Sequence, residues 1–223
     1  MATKVIYFVR HGESVLNSQG IRQGAEGALT DKGREQALAT ARKFPKHKGR
    51  PQVLISSPFE RTKETSDIIA HELGITDIEY SDLLKERRNP REIIGHHGDE
   101  SEVRQIIDLI DKGFHKDNFR YSDEENFADL KERAKALLEY ISQRKEKRIL
   151  MVTHNIFLKM IISYMLMGES LTASEYNKLS FLNPIENAGL TICTYKKWPF
   201  CKPEWKLLVW NDILQPEMAS EVG

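Results

Sequence analysis

Short apolar runs that stop abruptly at polar residues dominate the pattern of this chain. Residues 5–9 are all β-branched or aromatic, which predicts a strand buried on both faces. The runs at 52–56 and 148–153 have a similar character, and 77–80 predicts a brief strand. Two late segments, at 188–195 and 205–210, also favour strands. Polar residues at the ends of such strands are the first place to look for a binding site.

Apolar residues at helical spacing separate most of these runs. Thr30 is placed to cap a helix that runs until Pro45. Ser57 followed by Pro58 predicts the start of another helix, which reaches Gly74. Ser57 is expected first as its N-cap and only second as a contact to the binding site. Further helices are predicted over 103–114, 127–141 and 156–167. The last is nearly all apolar but too short to cross a bilayer, so it is expected in the core. Polar, glycine-containing stretches predict loops at 15–27 and 83–99.

Composition and charge narrow the class of protein. With 40% hydrophobic and 30% charged residues, the 223-residue chain is typical of a soluble globular protein, which we expect to form one domain over 1–214 with a flexible tail at 215–223. Lysine plus arginine and aspartate plus glutamate number 33 each, which argues against nucleic-acid and membrane partners. No signal-peptide pattern precedes the first strand, so a cytoplasmic location is expected, with Cys193 and Cys201 reduced.

Basic and imidazole side chains follow three of the predicted strands. His11 comes at the end of the first, His154 at the end of the 148–153 strand, and Arg61 shortly after the 52–56 strand. We expect them at one edge of the sheet, where the free N–H groups of helix starts also favour anions. Arg10 and Arg61 carry permanent charge and fork-shaped donors that suit phosphoryl oxygens. The pattern predicts a phosphate site.

Five motifs in order along the chain then indicate a family. They are Arg10-His11-Gly12-Glu13-Ser14 with Asn17, Leu29-Thr30-Asp31-Lys32-Gly33, Ser56-Ser57-Pro58 with Arg61 and Thr65, Glu86, and Val152-Thr153-His154-Asn155. Together they resemble the histidine phosphatase superfamily, the phosphoglycerate mutase-like group. The resemblance implies an α/β fold: a three-layer α/β/α sandwich around a mixed, mostly parallel central sheet.

The resemblance also implies a reaction. His11 would be the nucleophile, attacking phosphorus from one ring nitrogen while the other donates a hydrogen bond that fixes the tautomer. Arg10, Arg61 and His154 would hold the phosphoryl oxygens as charge redistributes, with Asn17 adding a neutral donor. No cofactor is implied.

The same resemblance makes Glu86 the general acid and base and places Gln23 and Gly24 in a substrate-binding loop. Glu86 would protonate the leaving alkoxide and then draw a proton from the attacking water. No metal is required. The only metal-like cluster, His96, His97, Asp99 and Glu100, lacks helical spacing and a further ligand, so we expect a solvated charged loop.

Departures from the family pattern bear on activity. Most relatives carry Ser-His-Gly where this chain has Thr153-His154-Asn155, which puts the shape of the pocket in doubt but not the histidine. The Gly-Trp and Tyr-Gly stretches of the mutases are missing, which favours hydrolysis of a phosphorylated small molecule, with inorganic phosphate as product. Two alternatives remain: a cofactor-dependent phosphoglycerate mutase-type phosphotransferase, and a non-catalytic module that binds a phosphorylated ligand.

Specificity is expected in the segment 87–127, which the shared motifs do not cover and which we interpret as a lid. A run of cations around the start of this segment suits an acidic or multiply phosphorylated leaving group, although a charge run is more often a solvated loop. They are Lys85, Arg87, Arg88 and Arg91. A late aromatic loop with Trp198 and Phe200 offers a contact surface for an oligomer.

Overall fold

The computed structural model describes residues 2–44, 49–182, 185–198, 201 and 203–213. Over these ranges, six strands form one mixed sheet in the order β3-β2-β4-β1-β5-β6. They are β1 (Ala2–Arg10), β2 (Val53–Ser56), β3 (Ile78–Tyr80), β4 (Arg148–Thr153), β5 (Leu190–Lys197) and β6 (Glu204–Asp212). The first four strands of the chain are parallel, while β5 is antiparallel to both β1 and β6.

Helices flank this sheet on both faces. They are α1 (Val15–Ser18), α2 (Asp31–Arg42), α3 (Glu60–Leu73), α4 (Ser101–Gly113), α5 (Phe127–Gln143), α6 (Asn155–Met167) and α7 (Ala173–Leu182). One core cluster packs α2 and α3 on one face of the sheet, and the other packs α5 and α6 on the opposite face. The predicted α/β fold, with a mixed sheet between helical layers, is confirmed.

The first strand is buried on both faces, as its unbroken apolar run predicts. Ile6 and Phe8 join the cluster with α5 and α6, whereas Val9 joins the cluster with α2 and α3, and all three are fully buried. Full burial of a side chain of this size stabilises the fold by roughly 1.5–3 kcal/mol. The strand that leads into His11 is therefore held firmly from both sides.

The register of the sheet aligns the ends of three neighbouring strands. Arg10 of β1 lies opposite Thr153 of β4, and Ser56 of β2 lies opposite Val152. Parallel strands in this register release their chains at the same edge, so the residues that follow β1, β4 and β2 meet there. This edge is called the rim below.

The start of α3 differs from the sequence prediction. Ser57 does not cap this helix: Phe59 occupies the N-cap position without a side-chain hydrogen bond, and the helix begins at Glu60. The backbone N–H of Ser57 still donates to the Val152 carbonyl, at 3.0 Å, so the chain is still paired with β4 at this point. Gly74 ends the helix in the left-handed region, with φ of 61°, as predicted.

Two helices were missing from the sequence prediction. The predicted loop 15–27 begins with α1, a single turn capped by the Ser14 hydroxyl, which accepts from the Asn17 N–H at 3.3 Å. The second, α7, has a weak apolar stripe interrupted by polar residues that favour turns, so its pattern did not indicate a helix. By contrast, Thr30 caps α2 as predicted, accepting from the Gly33 N–H at 3.0 Å.

The segment 87–127 contains a short 3₁₀ turn at Arg91–Ile93 and the helix α4. Ile110 and Phe114 anchor it in the core beside α5. Its role as a lid and the single domain over 1–214 stay predictions. The tail 215–223 lies outside the described residues, as do Pro199 and Phe200 of the late loop.

Both cysteines are free thiols, with Cys193 buried and Cys201 exposed, as predicted. Of the helices that the structure describes, none combines the length and apolar character needed to cross a bilayer.

Candidate active site

His11 leaves β1 at the rim and is almost fully buried, with 3% of its surface exposed. Its Nδ1 lies 2.7 Å from the carbonyl oxygen of Gly12. A carbonyl can only accept, so this contact places the proton on Nδ1 and leaves Nε2 as the unprotonated nitrogen that carries the lone pair. Burial, and then the charges of Arg61 and Arg10, hold the pKa of His11 well below its usual value. The ring is therefore neutral and held in one orientation.

The backbone around His11 is fixed by contacts from distant parts of the chain. The His11 carbonyl accepts from the side chain of Asn187 at 3.0 Å and from the Ala188 N–H at 3.2 Å. The next residue must be glycine, because a Cβ on Gly12 would lie 2.3 Å from the carbonyl oxygen of Gly33 in the first turn of α2. Sequence analysis did not identify Asn187, since nothing local distinguishes it from a loop asparagine.

Arg61, on the first turn of α3, is 2% exposed and points its Nε at Nε2 of His11, 3.3 Å away. Its Nη1 donates to the Gly24 carbonyl at 2.9 Å. Burial lowers the pKa of Arg61 to about 10, against a raising effect of Glu86, so the group stays charged at neutral pH.

Arg10 completes a pair of buried cations at the rim. Its Nη1 donates to the Ile185 carbonyl, and burial lowers its pKa while Glu86 and Glu186 act in the opposite direction. Both guanidinium groups thus hydrogen-bond to neutral main-chain carbonyls. Such contacts fix their geometry without neutralising their charge, which is what an anion site needs.

His154 follows β4 and is fully buried, with its ring centroid 5.1 Å from that of His11. Its Nε2 lies 2.8 Å from the Ser57 hydroxyl. If that hydroxyl donates, the proton of the neutral ring resides on Nδ1. Burial, and then the charge of Arg61, hold the pKa of His154 well below its usual value. Ser57 therefore sets the orientation of His154 instead of capping a helix.

Two buried nitrogen atoms at the rim have no hydrogen-bond partner among the described residues: Nε of Arg10 and Nδ1 of His154. Buried donors are normally paired, because an unpaired one costs roughly 1–3 kcal/mol. Both belong to residues that the sequence assigned to phosphoryl binding. An oxyanion placed beside Nε2 of His11 is the simplest group that would pair them.

Glu86 lies at the N-terminus of α6, where its carboxylate accepts three backbone N–H groups. The donors are Arg87 at 2.9 Å, Phe157 at 3.0 Å and Ile156 at 3.2 Å. Its charge acts on both Arg10 and Arg61, which places it beside the buried cations. The neighbouring Lys85 pairs with Asp82 instead, at 2.8 Å. Glu86 is thus a positioned group of the rim and not one half of a surface ion pair.

Arg133 of α5, which sequence analysis missed, holds the chain segment that carries Glu86. Its guanidinium donates to the Lys85 carbonyl at 2.6 Å and forms a two-point contact with Glu125, at 2.8 and 3.0 Å. It also stacks on the ring of Phe157 at 3.7 Å. The sequence did contain a signal for Arg133: it lies three residues after Leu130, so a cation stands on the apolar face of the helix.

The loop residues singled out from the sequence form a connected group. The Ser14 hydroxyl lies 3.0 Å from Oδ1 of Asn17 and 2.9 Å from Oε1 of Gln23. Gly24 joins the rim through its carbonyl, which accepts from Arg61. The structure thus brings Arg10, His11, Arg61 and His154 together directly, and connects Asn17 and Gln23 to one another through Ser14.

No group of three or more histidine, cysteine, aspartate or glutamate side chains could hold a metal ion, as far as the described residues show. His96 of the charged loop pairs with Glu100 at 3.0 Å.

A sequence model of one family, described as the histidine phosphatase superfamily (branch 1), matches residues 6–213. The chain belongs to the histidine phosphatase superfamily. The "Probable phosphoglycerate mutase GpmB" of Salmonella arizonae is 32% identical over 168 residues, which cover 72% of this chain and 74% of that protein.

Two solved structures illustrate the shared fold of this superfamily member. A phosphoserine phosphatase from Entamoeba histolytica, in complex with phosphoserine, is 24% identical with a TM-score of 0.72, covering 96% of this chain and 99% of that one. A mycobacterial glucosyl-3-phosphoglycerate phosphatase is 20% identical with a TM-score of 0.74, covering 94% and 99%. Neighbours with this fold thus include proteins that bind phosphorylated small molecules.

The two buried neutral imidazoles predict an acid-sensitive fold. Their pKa values are lowered on folding, so below about pH 6.5 the unfolded chain binds more protons than the folded chain. Stability should therefore be retained above that pH and lost as pH falls, by up to about 1.4 kcal/mol per histidine per pH unit. Urea unfolding at several pH values measures this slope. His11→Gln should make it shallower, whereas His71→Gln, at an exposed position of α3, should not; equal slopes in all three proteins would contradict the prediction.

Proposed function

We propose that this protein is a phosphomonoesterase that hydrolyses a phosphorylated small molecule through a phosphohistidine on His11. One observation carries the proposal: a neutral, buried imidazole whose Nδ1–H is held by the Gly12 carbonyl and whose Nε2 faces Arg61. This is the protonation state and orientation that nucleophilic attack on phosphorus requires. The flanking cations and unpartnered donors supply the electrostatic part of the site.

In the first step, the Nε2 lone pair of His11 attacks phosphorus in line while the bond from phosphorus to the leaving oxygen breaks. Glu86 gives its proton to that oxygen, so the product leaves as a neutral alcohol. Arg10, Arg61 and the Nδ1–H of His154 hold the non-bridging oxygens as charge moves between them. The positive charge that develops on the His11 ring is spread to Nδ1–H and its hydrogen bond with Gly12.

In the second step, Glu86 acts as a carboxylate and removes a proton from a water molecule. The oxygen of that water attacks phosphorus, the bond from phosphorus to Nε2 breaks, and inorganic phosphate leaves. The His11 ring returns to its neutral form and Glu86 is protonated for the next cycle. Every proton and electron pair is accounted for by this chain's own side chains, so the proposed reaction uses neither a metal ion nor a cofactor.

Hydrolysis of p-nitrophenyl phosphate in EDTA at mildly acidic pH tests the proposal. We expect steady turnover with release of one phosphate per p-nitrophenol, unchanged by addition of magnesium or zinc. Absence of turnover with this substrate and with a panel of phosphate esters, from a protein that binds inorganic phosphate, would support the non-catalytic binding module instead.

A mutase is the second candidate, and the relationship to the "Probable phosphoglycerate mutase GpmB" favours it. Both activities share the first step, and they differ in whether the phosphohistidine passes its phosphoryl group to water or back to a bound product. Incubation with 3-phosphoglycerate and a bisphosphate primer separates them. We expect phosphate to be released faster than 2-phosphoglycerate is formed. The opposite order of rates would show that the protein is a mutase and not a phosphatase.

A further inference from the structure

A cavity of about 220 Å³ lies next to Glu86, between the segment that follows it and the helices α4, α6 and α7. The polar residues of its lining are Arg22, Arg87, Asn89, Asp111, Asn177 and Ser180, with Tyr176 at one side. Apolar side chains of α4, such as Ile107 and Ile110, form the remaining wall. Polar groups from separate parts of the chain therefore converge on one cavity, which suits a small polar ligand.

One chain neighbour and two hydrogen bonds of Ile156 connect this cavity to the proposed general acid. Arg87 directly follows Glu86 in the chain. Ile156, which lines the cavity, donates its N–H to the Glu86 carboxylate at 3.2 Å. The carbonyl of the same residue accepts from the Tyr176 hydroxyl at 3.1 Å. The cavity therefore borders the chain segment and the helix start that hold Glu86.

Its charge is unbalanced. Arg22 and Arg87 approach it from different parts of the chain, and the charge of Arg87 lowers the pKa of Arg22 after the effect of burial. Nε of Arg87 is buried and has no hydrogen-bond partner within the described ranges. The Arg87 Cζ lies 5.4 Å from the centre of the Phe114 ring. Its Nη2 donates one long hydrogen bond, of 3.5 Å, to Oδ1 of Asn89. Asp111 is the acidic residue of the lining, against two cations.

The other cations of the same segment are already occupied. Lys85 pairs with Asp82, and Arg91 pairs with Asp123 at 3.0 Å. The Arg88 guanidinium donates to the Asp123 carbonyl at 2.7 Å. Of the four cations between 85 and 91, Arg87 is the one that lines the cavity. Of the cations noted in the sequence, Lys85, Arg88 and Arg91 thus bind acidic residues or carbonyl groups outside the cavity, and Arg87 faces the cavity.

We propose that Arg22 and Arg87 form an anion subsite that binds a second acidic group, a carboxylate or a phosphate, on the leaving group of the substrate. The proposal rests on the proposed function, because it assigns the substrate class for the same reaction. It predicts a preference for esters in which the acidic group is a few bonds from the ester oxygen. Charge-assisted hydrogen bonds to two arginines would provide the recognition.

Matched substrate pairs test the subsite without relying on any absolute rate. For 3-phosphoglycerate against glycerol 3-phosphate, which lacks the carboxylate, we expect a kcat/KM ratio of about ten or more in the parent protein. Fructose 1,6-bisphosphate against fructose 6-phosphate gives the corresponding ratio for a second phosphate. The pair with the higher ratio identifies which acidic group the subsite takes.

Arg22→Gln and Arg87→Gln should each reduce that ratio about tenfold, towards one. Arg91→Gln is the matched control, because Arg91 belongs to the same segment but pairs with Asp123 outside the cavity lining. A parent ratio near one for both pairs would overturn the proposal. So would a ratio that survives both substitutions in proteins whose circular dichroism matches the parent.

Failure of the subsite and failure of the proposed function give different results. Binding of the same four compounds to His11→Ala, measured by calorimetry, needs no turnover. A preference for the acidic member of a pair, lost on adding Arg87→Gln, would support the subsite even if the parent protein hydrolysed nothing. Hydrolysis of all four compounds at similar kcat/KM would retain the phosphatase and remove the subsite.

Discussion

Replacement of His11 by alanine is expected to lower kcat for phosphate-ester hydrolysis by on the order of 10⁴-fold and to abolish the phosphoenzyme. The substitution removes the proposed nucleophile and leaves both arginines in place to bind the phosphoryl group in the proposed reaction. Brief incubation with a ³²P-labelled ester followed by denaturation measures the covalent intermediate directly. The parent protein should carry label that is lost in acid and retained in alkali, as expected of a bond between phosphorus and nitrogen.

The stability of the label decides between acceptors. Label that survives acid would indicate an oxygen ester, and Ser14 is the nearest hydroxyl in the motif. Absence of label from a parent protein that nevertheless turns over would favour direct attack by water. Either result would contradict the assignment of His11 as the nucleophile.

Glu86→Gln should produce a defect that depends on the leaving group. Glutamine has nearly the same size and can still accept backbone N–H groups at the start of α6, but it has no proton to give. Esters of alcohols should lose about 10²–10⁴-fold in kcat/KM, because an alkoxide leaves poorly without protonation. With p-nitrophenyl phosphate the first step should lose much less, since p-nitrophenolate leaves without a proton. The second step should still be slow, giving a burst of about one p-nitrophenolate per site and a trapped phosphoenzyme.

Glu13→Gln is the matched control for this experiment. Glu13 is close to His11 in sequence, but its carboxylate pairs with Lys32 at 3.0 Å and accepts from the Thr30 hydroxyl at 3.0 Å. We expect no dependence on the leaving group and no burst. Equal losses for alkyl and p-nitrophenyl esters in Glu86→Gln would assign Glu86 a role in fixing α6 and not in proton transfer.

The sequence predicted the parts of the site that follow buried strands. His11 and His154 each come directly after an apolar run, and the parallel register that aligns those runs follows from their position in the core. Arg61 was predictable because a helix start just after a strand points its first turn back to the rim. Local pattern and chemistry were sufficient for these residues.

Residues that act across long separations in the chain were not predictable in this way. Asn187 contacts the His11 carbonyl from 176 residues away, and Arg133 contacts the Lys85 carbonyl from 48 residues away. Arg22 and Arg87 approach one cavity only because the fold brings their segments together. Ser57 was expected first as a helix cap and only second as a contact to the site. The structure shows the second role, because no side chain caps α3 and the Ser57 hydroxyl lies 2.8 Å from Nε2 of His154.

The reversed direction of β5 has a consequence for the order in which the protein forms. Because β5 starts at the rim where β1 ends, residues 185–189 lie against Arg10 and His11, and the Ile185 carbonyl fixes Arg10. These contacts join the beginning of the chain to a segment made more than 170 residues later. Such non-local closure is the slow part of folding. During synthesis, His11 is therefore made among the first residues, but its surroundings are completed among the last.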